Sequence, residues 1–326
     1  MRKYFLAFTL IYFLASASVS AESFRILLSE IVDVSSDNPG GVTVNLPYNG
    51  SVLIQMGDAR FIRGVELEFS APQAWLRHRS TLAMVVYSGL NRIPALGVND
   101  LTATRIGFMP LPGRIRTVYQ IPIRAGHGLR PGPYATVQAG ITHPSSFPLI
   151  FRLMPVEKGV SSELENMRFT LRVRPILSDE GAVRFIPRFP PQLPDRPFIV
   201  LVDDVVVGNI TEELVLREGE RSLVVLSEDY RNISRRFIVE RGRVRDIVID
   251  LQDPTPLLVF EGPENALIFL NGNPVVRDGN PVPVDPGVHE VRFTVGDYTI
   301  IRTTVVERGK TYNISLSVGI NINEID

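Results

Sequence analysis

Histidine and cysteine most often carry nucleophilic, acid–base or metal chemistry near neutral pH. This sequence of 326 residues offers four histidines, His78, His127, His143 and His289, and no cysteine. No Gly-x-Ser-x-Gly elbow, phosphate-cradling glycine loop or His-Glu-x-x-His motif accompanies them. His127 and His143 are close enough in sequence to share a metal, but no carboxylate stands between them to complete a ligand set. Glu66 and Glu68 lie two apart, the spacing of any wet strand face as much as of paired glycosidase carboxylates. Asp278-Gly279-Asn280 is too poor in ligands for a calcium loop. The expectation is a chain with no catalytic residues, no cofactor and no metal.

Arginine is the more telling residue. After the first few positions Lys158 and Lys310 are the only lysines, so the basic surface is almost wholly guanidinium. Alternation along Ile115 to Ile123 sends Arg114, Arg116 and Arg124 outward, and the same period puts Arg168, Arg172 and Arg174 on one outer face. Were these strands neighbours, they would form a surface suited to carboxylates or phosphates of an envelope polymer. The opposing reading pairs the arginines with Glu66 and Glu68 across the sheet, which is worth little energetically. Trp75, Tyr48, Tyr87 and Tyr134 are candidates for a sugar-stacking platform if they share an exposed face. A pI near 6.5 and the lack of an aromatic-plus-basic motif argue against nucleic acid.

The elements that must hold these residues are strands. Val65-Glu66-Leu67-Glu68-Phe69 and Phe169-Thr170-Leu171-Arg172-Val173 alternate cleanly, and turn clusters such as Asp37-Asn38-Pro39-Gly40-Gly41 separate the runs. Helix signals are confined to Gln73–Ser80 and Ser161–Asn166. Short strands between Gly and Pro clusters predict an all-β fold of sandwiches.

At the start, Arg2 and Lys3 precede an apolar run from Tyr4 to Ala15 and a Val19-Ser20-Ala21 cleavage-like site, so residues 1–21 read as an export signal. The run is short of the roughly 20 residues of a spanning helix, and no membrane span is expected after cleavage. Residues 22–175 carry 16 basic against 11 acidic side chains, and residues 176–326 carry 16 against 24. That asymmetry marks two regions with different surfaces.

The second region repeats itself. Gly219 to Tyr230 aligns without a gap on Gly287 to Tyr298, and Val239-Glu240-Arg241-Gly242 recurs as Val306-Glu307-Arg308-Gly309. Each unit reads as a small sandwich of antiparallel strands, with Val291, Phe293 and Val295 turned inward in the second. Asn271-Gly272 makes a hairpin turn there. Pro187 to Pro197 reads as an extended, polyproline-like spacer ahead of Phe198.

The second unit resembles the PEGA domain family. Pro263-Glu264-Asn265-Ala266 stands for the name-giving stretch between two strands. Gly272, Pro286-Gly287-Val288-His289 and Gly296-Asp297-Tyr298 supply the hairpin glycine, the strand start and the Gly-Tyr turn. The residues that carry the resemblance are thus Pro263, Glu264, Ala266, Gly272, Gly287 and Tyr298. The first unit is more divergent, with Asp203-Asp204 in place of Asn-Gly. The resemblance implies an extracytoplasmic β-module of bacterial envelope proteins, no chemistry, and a structural place for His289.

The resulting organisation is a signal (1–21), an N-terminal β-sandwich (22–175), a divergent PEGA-like module with its proline-rich lead-in (176–252), a second PEGA-like module (253–318) and a tail (319–326). The expected function is that of a non-catalytic structural or binding component of the envelope, exported to the periplasm or cell surface. Its expected partner is a cell-wall or surface polymer or an envelope protein. The alternative is a carbohydrate-binding module or accessory subunit of a surface enzyme.

Overall fold

The computed structural model describes residues 21–317 apart from 158, 192 and 194, so the expected signal, save Ala21, and the tail lie outside the described residues. Strands dominate the regular structure of the described residues, and the chain divides into two compact units, residues 1–179 and 180–326.

In the first unit, β1 (Ala21–Val34), β3 (Gly50–Met56), β5 (Leu82–Ser88), β6 (Gly97–Pro110) and β9 (Leu149–Pro155) close into a ring in the order β1-β3-β9-β5-β6. A five-stranded sheet orders β2 (Val42–Pro47), β10 (Arg168–Leu177), β4 (Ile62–Ser70), β7 (Arg116–Pro122) and β8 (Ala135–Val137) as β2-β10-β4-β7-β8. A simple sandwich was the expectation; instead one of the two layers closes on itself. The cause is strand length. β1 and β6 have 14 residues each, so β1 can pair with β3 and β6 while β6 pairs with β1 and β5. Register shifts at Leu28/Glu30 and Val86/Tyr87 supply the bend.

Two cores follow from this arrangement. Leu46, Leu67, Phe69, Phe169 and Leu171 of the open sheet meet Val52, Ile54, Met84 and Phe151 of the ring. Ile26, Leu28, Leu53, Val85, Leu101 and Ile150 fill a second core. β3 and β9 therefore bury both faces between the two cores, while β4 and β10 bury one. The two expected helices are a 3-10 turn, Gln73–Arg77, and α1, Ser162–Asn166, whose Ser161 hydroxyl caps the Leu164 N–H.

The second unit holds two modules of the same topology. In the first, β11 (Glu180–Arg188), β14 (Leu214–Arg217) and β17 (Val244–Asp250) form the sheet β14-β11-β17. β12 (Ile199–Val202), β13 (Val205–Val206), β15 (Gly219–Leu226) and β16 (Ile233–Val239) form β13-β12-β15-β16. In the second, β18 (Leu257–Glu261), β21 (Val282–Pro283) and β24 (Thr311–Ser315) form β21-β18-β24. β19 (Leu267–Leu270), β20 (Asn273–Pro274), β22 (Gly287–Val295) and β23 (Tyr298–Val306) form β20-β19-β22-β23. The modules are not wholly antiparallel as expected: first and last strands run parallel, β11 with β17 and β18 with β24. The expected polyproline spacer also begins later, because Pro187 and Arg188 complete β11. Pro187 is tolerated there because β14 pairs only as far as Val183, leaving that edge of the strand free of ladder bonds.

Candidate functional site

The outer face of the open sheet collects most of the predicted arginines. On β10, Arg172 stands opposite Glu68 of β4 and Arg174 opposite Glu66. Arg174 Nε donates to Glu66 Oε1 at 2.8 Å, and Gln120 Nε2 donates to the other oxygen of this buried carboxylate at 2.9 Å. Arg116 of β7 reaches Glu68 at 2.7 Å. Arg114 and Arg124, on either side of β7, leave the face. Arg114 donates to the Pro133 carbonyl at 2.7 Å and lies over the Tyr134 ring, while Arg124 binds the carbonyls of Ala59 and Arg60.

Arg168 and Arg172 remain. Arg168 Nη1 donates to the Met167 carbonyl and Arg172 Nε to that of Gly40, and among the described residues neither guanidinium has a carboxylate partner. They stand four positions apart on one strand, about 13 Å. Four arginines against two glutamates leave this face with a local excess of positive charge, carried at that spacing.

The aromatic candidates do not share a face. Trp75 is fully buried, its indole N–H donating to the Pro112 carbonyl and its ring edge on Phe169. Tyr87 is buried and stacked on Phe24; burial raises its pKa, with the Glu22 carboxylate adding to the effect. Tyr48 is half-buried against the main core. Only Tyr134 of the four is well exposed, beneath Arg114.

The histidines are engaged locally. His127 Nδ1 accepts the Leu129 N–H, and His143 Nδ1 sits 2.8 Å from Ser145 Oγ while accepting the Ser145 N–H. His78 contacts Glu163 at 3.0 Å. His289 is buried, with Nδ1 2.8 Å from the Asn271 amide nitrogen and Nε2 2.7 Å from the Asp285 carbonyl. The amide has only hydrogens to give, so Nδ1 accepts and Nε2 donates.

That histidine belongs to a lock repeated in both modules. Asn271 and Gly272 both take positive φ, +50° and +84°, as a two-residue hairpin turn requires, and Asn271 Oδ1 accepts the Glu290 N–H. In the first module Asp203 and Asp204 make the same turn at +48° and +64° without a glycine. There Asp203 Oδ1 accepts the Ser222 N–H at 2.9 Å and Arg221 reaches Oδ2, while Arg221 Nη2 donates to the Arg217 carbonyl. Arg221 thus ties turn to strand start as His289 does, with different chemistry at the equivalent position. These bonds offset the cost of placing an aspartate pair in the left-handed region.

The remaining residues of the resemblance fall in the second module. Pro263 and Glu264 lie in the link between β18 and β19, and Ala266 is buried with its N–H on the Pro263 carbonyl. Gly287 starts β22 at φ +142°. Tyr298 starts β23 and is 80% exposed.

Sequence reading missed the contact joining the modules. Arg231 Nε donates to the Asp253 carbonyl at 2.9 Å, Nη1 to Thr311 Oγ1 at 3.0 Å and Nη2 to the Thr255 carbonyl, while its own N–H binds the Gln252 carbonyl. No periodicity marks such a residue, since most of its partners are backbone carbonyls, which any sequence supplies.

These features define an all-β protein of several sheets. No protein-family model matches the sequence, and comparison with curated proteins returns no match. Among solved structures the chain is similar to the Bacillus anthracis TIE protein, at 11% identity and a TM-score of 0.21. That match covers 79% of this chain and 52% of the other, so this chain spans about half of its length. It is also similar to a backbone protein of the group B streptococcus pilus 2b, at 10% identity and a TM-score of 0.21, covering 65% and 94% of the two chains. A minor pilin of Streptococcus agalactiae follows at 12% identity and a TM-score of 0.14, covering 45% and 100%. Scores this low carry no argument about function. No helix among the described residues is long and apolar enough to cross a membrane.

Proposed function

We propose that this chain is a non-catalytic, extracytoplasmic component of the cell envelope. Its N-terminal unit holds an anionic wall or surface polymer, or an acidic envelope protein, and two PEGA-like modules act as a rigid extension. The observation that carries this reading is the duplicated module. Two copies of one seven-strand topology are joined by an arginine clamp, and the polar groups Asp203, Arg221, Asn271 and His289 are engaged in fastening turns. Arg168 and Arg172, without a carboxylate partner among the described residues, supply the binding element, because guanidinium groups suit phosphate and carboxylate. The sugar-binding alternative loses support from the buried Trp75 and Tyr87.

The test is co-sedimentation of the chain from residue 22 onward with purified cell wall and with whole cells. Pelleting is expected to fall as salt rises from 50 to about 500 mM, as screening of exposed charge requires. The double variant Arg168→Ala, Arg172→Ala is expected to lose most of it, while Arg114→Ala keeps it. Pelleting that ignores both salt and the double variant would remove the arginine face from the account.

A further inference from the structure

The same corner of the two modules is closed in one and open in the other. Tyr230 and Tyr298 align when Gly219 is laid on Gly287; Tyr230 lies in the connection from β15 to β16, and Tyr298 is the first residue of β23. Tyr230 is buried to 2% exposure; Phe189 lies 6.0 Å from its ring, and the Arg196 N–H donates to its hydroxyl at 2.9 Å. Phe189, Leu193 and Phe198 of the proline-rich link between β11 and β12 pack on the first module's core, with Phe189 and Phe198 edge to face at 6.0 Å. The link is therefore the lid of this corner.

In the second module the matching link runs only from Gly262 to Ala266, and Arg277 fastens it by donating to the carbonyls of Gly262 at 2.8 Å and Pro263 at 2.7 Å. It is too short and too firmly held to cross the corner. The face left open belongs to β23. Tyr298 stands opposite Val295 and Ile300 opposite Phe293, so both point to the side on which Phe293 enters the core. Tyr298 is nevertheless 80% and Ile300 39% exposed. The edge of β23, which pairs with no further strand among the described residues, runs beside them, with apolar or threonine side chains at eight of its nine positions and Arg302 as its one charge. The corresponding edge strand of the first module carries Arg235 and Arg236 at its centre, a charge placement that blocks strand addition.

We infer that the Tyr298 corner is a docking site for an extended segment of a partner chain that carries aromatic or leucine side chains between prolines, the chemistry that residues 189–198 supply within the first module. Tyr298 and Ile300 receive the apolar side chains, the Tyr298 hydroxyl accepts a backbone N–H as Tyr230 does, and the open β23 edge offers main-chain groups to the incoming backbone. Exposed tyrosine beside aliphatic side chains is the composition of an interface centre. This inference stands apart from the arginine face and can fail without it.

The experiment uses the chain from residue 22 onward and a fluorescently labelled synthetic peptide with the sequence of residues 188–198, followed by anisotropy. Saturable binding is expected, weakened at least tenfold in Tyr298→Ala and in Ile300→Ser, and absent for a peptide with both phenylalanines replaced by serine. Both substitutions fall on exposed side chains, so folding is expected to survive them, checked by circular dichroism. Failure to saturate up to about 1 mM peptide, the weak limit of specific recognition, would overturn the inference. So would undiminished binding to Tyr298→Ala, which would mean that the peptide had displaced the native lid from Tyr230. Concentration-dependent dimerisation that Tyr298→Ala abolishes, without peptide binding, would assign the corner to a second copy and overturn it equally.

Discussion

The two modules of the C-terminal unit are one design with different fillings. Both close the β12–β13 or β19–β20 hairpin with a pair of residues at positive φ, and both tie that turn to the neighbouring strand, β15 or β22. The first is the better filled. Phe237 is buried edge-on against Phe185, the proline-rich link covers one end, and twelve buried apolar residues make one continuous core. The second has two core clusters of three buried residues each, bridged by Phe260, Leu270 and Ile314, and exposes most of β23. Apolar burial sets most of a small domain's stability, and units of about 60 residues have little to spare. The difference teaches that topology survives the loss of much of the filling when a better-filled neighbour lends support, here through Arg231.

The largest expected effect comes from emptying the better core. Phe237→Ala removes a buried ring and should cost the first module about 3–5 kcal/mol, enough to bring it to or below the stability of the second. Denaturant melts followed by hydrogen exchange, resolved by module, would show the order of unfolding reverse. An unchanged order would mean that the apparent filling does not control stability.

Next in size is the clamp. Arg231→Met keeps the aliphatic stem but removes every guanidinium bond to the second module, with an expected loss of about 2–3 kcal/mol of coupling. The native modules should unfold together, and those of the variant separately, the second first. Joint unfolding in the variant would place the coupling elsewhere in the junction.

The smallest effect separates the two locks by pH. The Ser222 N–H, with Arg221 adding to it, holds the Asp203 carboxyl below its ordinary range. A carboxyl held low in the folded state contributes stability above its unfolded pKa of about 3.9 and loses it as pH falls through the folded value. Acidification from pH 5 to 2 should therefore weaken the first module by up to about 1 kcal/mol through this group, little because it is largely exposed. Asp203→Asn should lower stability at neutral pH and flatten that part of the acid profile. An unaltered profile would show that the carboxylate is not the lock.

How much of this was legible follows the periodicity. Residues in strands buried on one face, such as Glu66, Glu68, Arg172 and Arg174, announce themselves by alternation, and their cross-strand opposition is what the structure contains. Strands buried on both faces read differently: Leu82-Ala83-Met84-Val85-Val86-Tyr87 and Leu149-Ile150-Phe151 are continuous apolar runs, which show burial but not which layers lie on either side. The closed ring was therefore not readable. The repeat was legible from Gly219 and Gly287 onward, where turn glycines fix the frame. It faded before Phe198 because the links differ in length. The bonds of Arg114 and Arg124 to loop carbonyls could not be foreseen, since strand parity says nothing about where a long side chain ends.

The parallel pairing of first and last strands has a mechanical consequence. Each module is entered at the start of its first strand and left at the end of its last, at opposite ends of the same ladder. A pull along the chain from residue 180 toward residue 316 runs along those strands. It loads Ala182–Arg188 against Val244–Asp250, and Leu257–Glu261 against Thr311–Ser315, in shear, so that all rungs of a ladder resist together instead of opening one after another. A protein fixed at one end and tugged at the other would yield only when a whole ladder gave way.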